Sequence, residues 1–142
     1  LIKLAQEVET SEGRAIDDKA NREKLARFYS REHGLKYFMY RMSTKLSHGE
    51  QPGPEAALSK YVHGKLLQEM AQMGMELHDY QGIIAGESNA MLHDSFLWSI
   101  VVRVAGGTDE VVLNQVGERV LGMPPEIRVD KDIPFNELPS GK

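Results

Sequence analysis

The chain is 142 residues long, carries a net charge of −4 and contains no cysteine. That length suits one domain with a real hydrophobic core, and the charge argues against a nucleic-acid partner, which favours a basic face. The missing thiols exclude disulfide frameworks, thiol nucleophiles and cysteine-rich metal sites, and no run approaches the roughly 20 apolar residues that cross a bilayer. The chain starts LIKLAQEV, without initiator methionine, signal peptide or basic leader. That reads as a piece of a longer protein, in a cytoplasmic setting.

Strand signals are thin: the best apolar run, Ser99 to Val102, is short and does not alternate with polar residues. Helical periodicity is much stronger. A first short helix is expected over Ile2–Glu9. From Asn21 to Lys45, extending to Leu46, the residues Leu25, Phe28, Leu35, Met39, Met42 and Leu46 step by three, four and seven and share one stripe. Asp17-Asp18 puts negative charge at that helix start, where the dipole favours it. Gly49, Pro52, Gly53 and Pro54 then impose a loop.

A second long helix is predicted from Pro54 or Glu55 to about His78, with Pro tolerated in its first turn. Its stripe is Leu58, Val62, Leu66, Met70, Met73 and Leu77. Both stripes step by about 3.5 on average, as antiparallel bundle helices do. Gln81 to Asn89 reads as a loop, a third helix as Met91 to Val104, and a fourth as the segment after Gly107. The tail after Pro124-Pro125 has no helical period and reads as extended or partly disordered. The expected fold is all-α, an antiparallel four-helix bundle over residues 1–125 with a tail over 126–142.

Several candidate sites resolve into ordinary structure. The histidines at 33, 48, 63, 78 and 93 are evenly spaced by 15, but their flanks share only a following Gly or Asp. Fifteen residues matches no usual repeat unit, so the spacing reads as coincidence. A di-iron bundle needs Glu-x-x-His pairs one turn apart. The residues three before each His are Ser30, Lys45, Lys60, Met75 and Ala90, none acidic, which excludes that class. Met70, Met73 and Met75 read as core filler at helical spacing rather than a ligand groove. Glu69, Glu76 and Asp79 read as a solvated face rather than a carboxylate cluster.

The stretch VVRVAGGTDEVVLNQVGERVLGMPPE, Val101 to Glu126, is richer. Thr108 is placed as an N-cap with Asp109 and Glu110 in the first turn; Gly122 ends the helix and Pro124-Pro125 blocks its resumption. Two readings stand side by side. One is a glycine hinge between bundle helices. The other is a close backbone approach to a ligand, with free N–H groups at the helix start.

VAGGTDEVVLNQVGERVLGMPP also resembles the last-helix signature of the acyl-CoA dehydrogenase family, which commonly reads (E/G)GT-x-(E/Q)-(I/V) followed by ERVLGLP. PEAALSKYVHGKLLQEMAQMGMELHDYQGI is similar to the preceding long helix of that family, and NREKLARFYSREHGLKYFMYRMSTKLSHG to the one before it. The resemblance runs nearly to Pro125 and implies the C-terminal all-α domain of a larger FAD-dependent enzyme that dehydrogenates an acyl-CoA thioester. It also implies an electron-transfer flavoprotein-like acceptor and a homo- or hetero-oligomer. On this likeness Gly107 and Thr108 are flavin-side contacts, with Glu110 at the motif's Glu/Gln position, and Gly106 belongs to the acyl-chain wall.

Three departures accompany it. Many members carry the catalytic base as Glu where this chain has Gly106. The chain therefore has no catalytic residue at that position, and the base is expected upstream of Leu1, as in isovaleryl-type members. The family's Arg-x-x-Phe-Gly flavin contact should fall near Val8–Glu12, where VETSE does not match, although Arg14 is close. Its Gln-x-x-Gly-Gly turn, which meets a neighbouring subunit's FAD, is here Glu76-Leu77-His78-Asp79-Tyr80. Glu76 and Tyr80 are the candidate contacts of that turn, but two acids beside a pyrophosphate are unfavourable. Some relatives are heteromers in which one subunit type completes each flavin site. A non-catalytic partner subunit or assembly module is the alternative reading, and a stand-alone helical adaptor a third.

Overall fold

The computed structural model of the protein describes all residues except 85, 88, 126, 128, 129, 131, 132 and 139–142. Helix α1, Ile2–Glu7, gives way at Val8 to extended backbone and a minimal hairpin, β1 Glu9–Thr10 with β2 Gly13–Arg14. Glu9 pairs with Arg14 and Thr10 with Gly13, a feature too short for any alternation to announce. A 3-10 turn at Ala15–Asp17 leads into α2, Lys19–Ser47. That helix starts two residues before the predicted Asn21, because Asp18 caps it: its Oδ1 accepts the Asn21 N–H at 2.8 Å. After a 3-10 turn at Pro54–Ala56 come α3, Ala57–Leu77, and a single turn α4, Tyr80–Ile83. Helices α5, Ala90–Val104, and α6, Asp109–Arg119, follow.

The fold is all-α, as the periodicity predicts, with the long helices gathered on α3. Ion pairs show α2 running antiparallel along it: Lys45 to Glu55 at 2.6 Å, Arg31 to Glu69, and Lys24 to Glu76 at 3.7 Å. Glu69, Glu76 and Asp79 lie on the exposed face read from the sequence, the two glutamates answering cations of α2. The α3 stripe is seated as expected, with Leu66 and Met73 buried. The α2 stripe is not wholly so. Met39 and Leu46 are exposed, while Phe38 and Lys45 turn inward. Over so long a helix the seam follows 3.6 residues per turn, and a 3.5 spacing slides off it.

Helix α5 also lies antiparallel to α3, at very short range. A Cβ on Gly74 would stand 2.6 Å from Leu92 Cδ2, and one on Gly64 would stand 3.0 Å from Arg103 Cγ. At the far end, Ala5, Ala15, Leu25 and Met73 form a small buried cluster, which docks α1 and the Ala15–Asp17 turn onto α2 and α3.

The predicted loop Gln81–Asn89 is corrected in its first third, where α4 forms; residues 85 and 88 lie outside the described set. Its cause is a tight turn. Asp79 adopts φ +50°, and its carbonyl accepts the Gly82 N–H at 2.9 Å. A Cβ on Gly82 would fall 1.9 Å from the Met75 carbonyl oxygen. Much of the expected tail also lies outside the described residues; within it, Phe135–Glu137 makes a 3-10 turn.

Opposite outcomes are expected three residues apart. Asp79→Gly removes left-handed strain and raises the unfolding free energy by about 1 kcal/mol. Gly82→Ala drives a methyl into a backbone carbonyl and lowers it by about 1–3 kcal/mol. Denaturant titration of the two variants reads both signs.

Candidate functional site

Helix α5 ends at Val104 and is capped by Ala105, whose N–H returns to the Val101 carbonyl at 2.8 Å. The chain then passes through two left-handed residues, Gly106 at φ +66° and Gly107 at φ +103°. Thr108 restores extended backbone and caps α6, its Oγ1 accepting the Val111 N–H at 3.4 Å. Gly122, at φ +68°, lies past the far end of that helix. The hinge and the cap are thus both present as read from the sequence. A side chain at Gly106 would meet nothing within 4 Å, so one face of the hinge is open.

The other face is held by groups that no local pattern announced. Arg103, in the last turn of α5, donates from Nε to Asp109 Oδ2 at 2.6 Å, and its NH1 reaches Gln68 Oε1 of α3 at 2.6 Å. Asp109 is buried, and its second oxygen, Oδ1, has no hydrogen-bond partner among the described residues. Lys60 of α3 donates from Nζ to the Gly107 carbonyl and lies 3.5 Å from that of Arg103. The hinge is therefore fastened to α3 on both sides of Gly106. Only the three-residue proximity of Thr108 to Val111 was legible, because the remaining partners lie 6 to 47 residues apart in the chain.

Glu110 is exposed, and its carboxyl sits below the ordinary value of 4.5 because its own backbone N–H and then the Thr108 hydroxyl bind the charged form. Gly106 carries no acid, and the nearest carboxylate in sequence, Asp109, is committed to Arg103. The arrangement offers open backbone and N–H donors, and its exposed carboxylate, Glu110, lies beyond the cap with its charged form held by its own N–H and Thr108.

The second candidate patch is the turn after α3. Tyr80 is 78% exposed. Glu76 accepts from Gln72 Nε2 at 2.9 Å and faces Lys24. Together with Asp79 and the apolar Met75, Ile83 and Phe96, Glu76 lines an open groove of about 630 Å3. The hinge and this turn lie near opposite ends of α3, so Gly107 and Thr108 do not meet Glu76 and Tyr80 within the chain. The backbone at Asp79 keeps the conformation that glycine adopts freely, at the position where the family motif has its first Gly.

An FAD isoalloxazine or ribityl acceptor fits the hinge, where Gly106 leaves space and the helix start offers N–H donors. A pyrophosphate does not fit the turn. Glu76, Asp79 and the carbonyl end of α3 are all negative, and each like-charge pair at 4 Å costs about 1 kcal/mol even in water. Arg14, near the other expected flavin contact, is bound to Asp17 at 3.0 Å. Among the described residues no group of three or more His, Cys, Asp or Glu is arranged to hold a metal, and no helix is long and apolar enough to cross a membrane.

Breaking the Arg103–Asp109 pair is expected to be costly because Asp109 is buried. Asp109→Ala should lower stability by about 1–3 kcal/mol, read by urea denaturation, and Arg103→Met, which strands the buried carboxylate, by about 3–5 kcal/mol. The depressed Glu110 carboxyl sets the sign of a pH effect. Its contribution is complete above the unfolded value and is lost as pH falls below 4.5 through the lower folded value. Thermal unfolding of Glu110→Gln should therefore show a shallower acid decline than the parent over that window.

Comparison with known proteins agrees with this geometry. The profile of the acyl-CoA dehydrogenase C-terminal domain matches residues 1–121. "Acyl-CoA dehydrogenase FadE34" of Mycobacterium tuberculosis (strain ATCC 25618 / H37Rv) is 32% identical over 76 residues, covering 54% of this chain and 10% of that protein. The ChsE4-ChsE5 complex from Mycobacterium tuberculosis superposes with a TM-score of 0.75 at 22% identity, over 87% of this chain and 34% of that one. The Tcur3481-Tcur3483 steroid ACAD gives 0.69 at 22% identity, over 78% and 30%. The chain spans about a tenth of the curated relative's length and about a third of these structural neighbours. With 121 of its 142 residues matched, the chain belongs to the acyl-CoA dehydrogenase C-terminal domain family.

Proposed function

We propose that the chain is the C-terminal part of an FAD-dependent acyl-CoA dehydrogenase and works in an oligomer, with Gly106, Gly107 and Thr108 forming part of the wall around flavin and acyl-CoA. The observation that carries this reading is the open, left-handed Gly106-Gly107 hinge leading into a capped helix. When bound, the flavin would accept hydride from the β-carbon of the thioester. The chain's own share is to present the hinge backbone and to exclude water. Removal of the α-proton needs a carboxylate within reach, and on this reading it comes from outside residues 1–142, since Gly106 has none. The reduced flavin would pass electrons to an electron-transfer flavoprotein-like acceptor.

A second reading, a non-catalytic partner subunit of a heteromer, is supported by the acids Glu76 and Asp79 in the turn that, by the family resemblance, would meet a neighbouring subunit's FAD. Exposed apolar residues on the outer face of α5, among them Leu97, Trp98 at 61% and Val104, support an assembled state on either reading. Two of the structural neighbours are described as a two-component complex or pair; by analogy, a second chain is expected here.

The test is to purify the full-length protein, alone and with a co-purifying subunit, and to measure flavin absorbance and acyl-CoA-dependent dye reduction. Flavin and turnover in either preparation are expected. No flavin in both would overturn the proposal. Turnover that survives replacement of every candidate base in this subunit selects the partner-subunit reading.

A further inference from the structure

We propose that Lys60 is the positioning residue of the Gly106-Gly107-Thr108 hinge, turning the Thr108 N–H outward as a donor to a ligand acceptor. This rests on the reading of the hinge as part of the flavin wall.

The geometry is simple. Lys60 lies in the first turns of α3 and is partly buried. Its ammonium binds the Gly107 carbonyl and reaches that of Arg103, so it draws in the backbone on both sides of Gly106. The Gly107 carbonyl and the Thr108 N–H belong to one planar trans peptide, and in such a unit they point in opposite directions. No peptide bond here is cis. With the carbonyl drawn toward α3, the N–H points away from it. Among the described residues that N–H meets no acceptor, whereas Val111 is capped by Thr108 Oγ1 and Val112 by the Thr108 carbonyl.

Two consecutive glycines would otherwise sample many conformations. A ligand that needs one of them then binds with an affinity reduced by the fraction of time the hinge spends there. An ammonium with three rotatable donors suits two nearby carbonyls. Arg103 and Asp109 restrain the ends of the same segment, but neither touches the Gly107 carbonyl.

The experiment uses the full-length protein with its partner subunit. Two quantities are read for the parent, Lys60→Met and Lys60→Arg: FAD affinity of the flavin-stripped protein, and backbone hydrogen exchange of the bonded amides Val102–Ala105 that lead into the hinge. Lys60→Met is expected to weaken FAD binding about tenfold, the scale of one charged hydrogen bond, and to speed exchange in that segment. Lys60→Arg should recover most of both. If Lys60→Met does not fold, Lys60→Gln takes its place.

Unchanged exchange of those amides in Lys60→Met overturns the inference, as does faster exchange with unchanged affinity in a parent that binds FAD. A loss of affinity that Lys60→Arg does not restore, with faster exchange throughout α3 and α5, marks general destabilisation and also overturns it. Should the parent take up no FAD, the functional proposal fails on its own account. Exchange then decides the role of Lys60: faster in those amides alone upholds it, unchanged rejects it.

Discussion

The close antiparallel contact of α3 with α5 is the constraint from which the rest of the structure follows. Gly64 and Gly74 let the two backbones approach until Arg103 and Leu92 fill the space a methyl would need. At that separation Gln68 reaches Arg103, and Lys60 reaches the carbonyls beyond the end of α5. Each is a charged or polar bond in a partly dry seam, where such bonds are strong and unmet groups are expensive. The hinge takes its shape from this seam as much as from its own glycines. Larger residues at positions 64 or 74 would separate the helices and release the hinge without touching it.

Local grammar carried much of this into the sequence. Thr108 before two acids, Gly122 before two prolines, and the three-and-four steps of Leu58 to Leu77 each depend on neighbours within one or two turns. Those are the features found where they were expected. What stayed hidden depends on distance or on backbone geometry. Nothing in the chain pairs Lys60 with Gly107 or Glu69 with Arg31 before the helices are laid together. Asp79 at φ +50° looks like an ordinary acid until its dihedral is known. Gly82 looks like a loop glycine until the Met75 carbonyl appears against it. Met39 and Leu46 show a subtler limit: a repeat counted in whole residues drifts from the true pitch over a helix as long as α2.

The two ends of α3 differ in chemical character. At its start the neighbouring hinge presents N–H groups and a lysine turned inward. At its close the carbonyls of the last turn meet Glu76 and Asp79, with Lys24 the nearest cation recorded for Glu76. The second end therefore repels an anion, while the first offers backbone donors beside the exposed Glu110 carboxylate. The family relationship explains why both ends attract notice. Only the charges explain why they need not act alike.

The two hinge glycines also differ in what could replace them. Gly106, at φ +66°, lies in a region that side-chain-bearing residues enter at a cost of roughly 1–2 kcal/mol, and the space beside it is empty. Gly107, at φ +103°, lies where they rarely go. The backbone thus sets one replaceable position beside one fixed position. A side chain can be carried at the first position at the cost of that strain, while the second preserves the turn, so the composition of the hinge can change without rebuilding the fold.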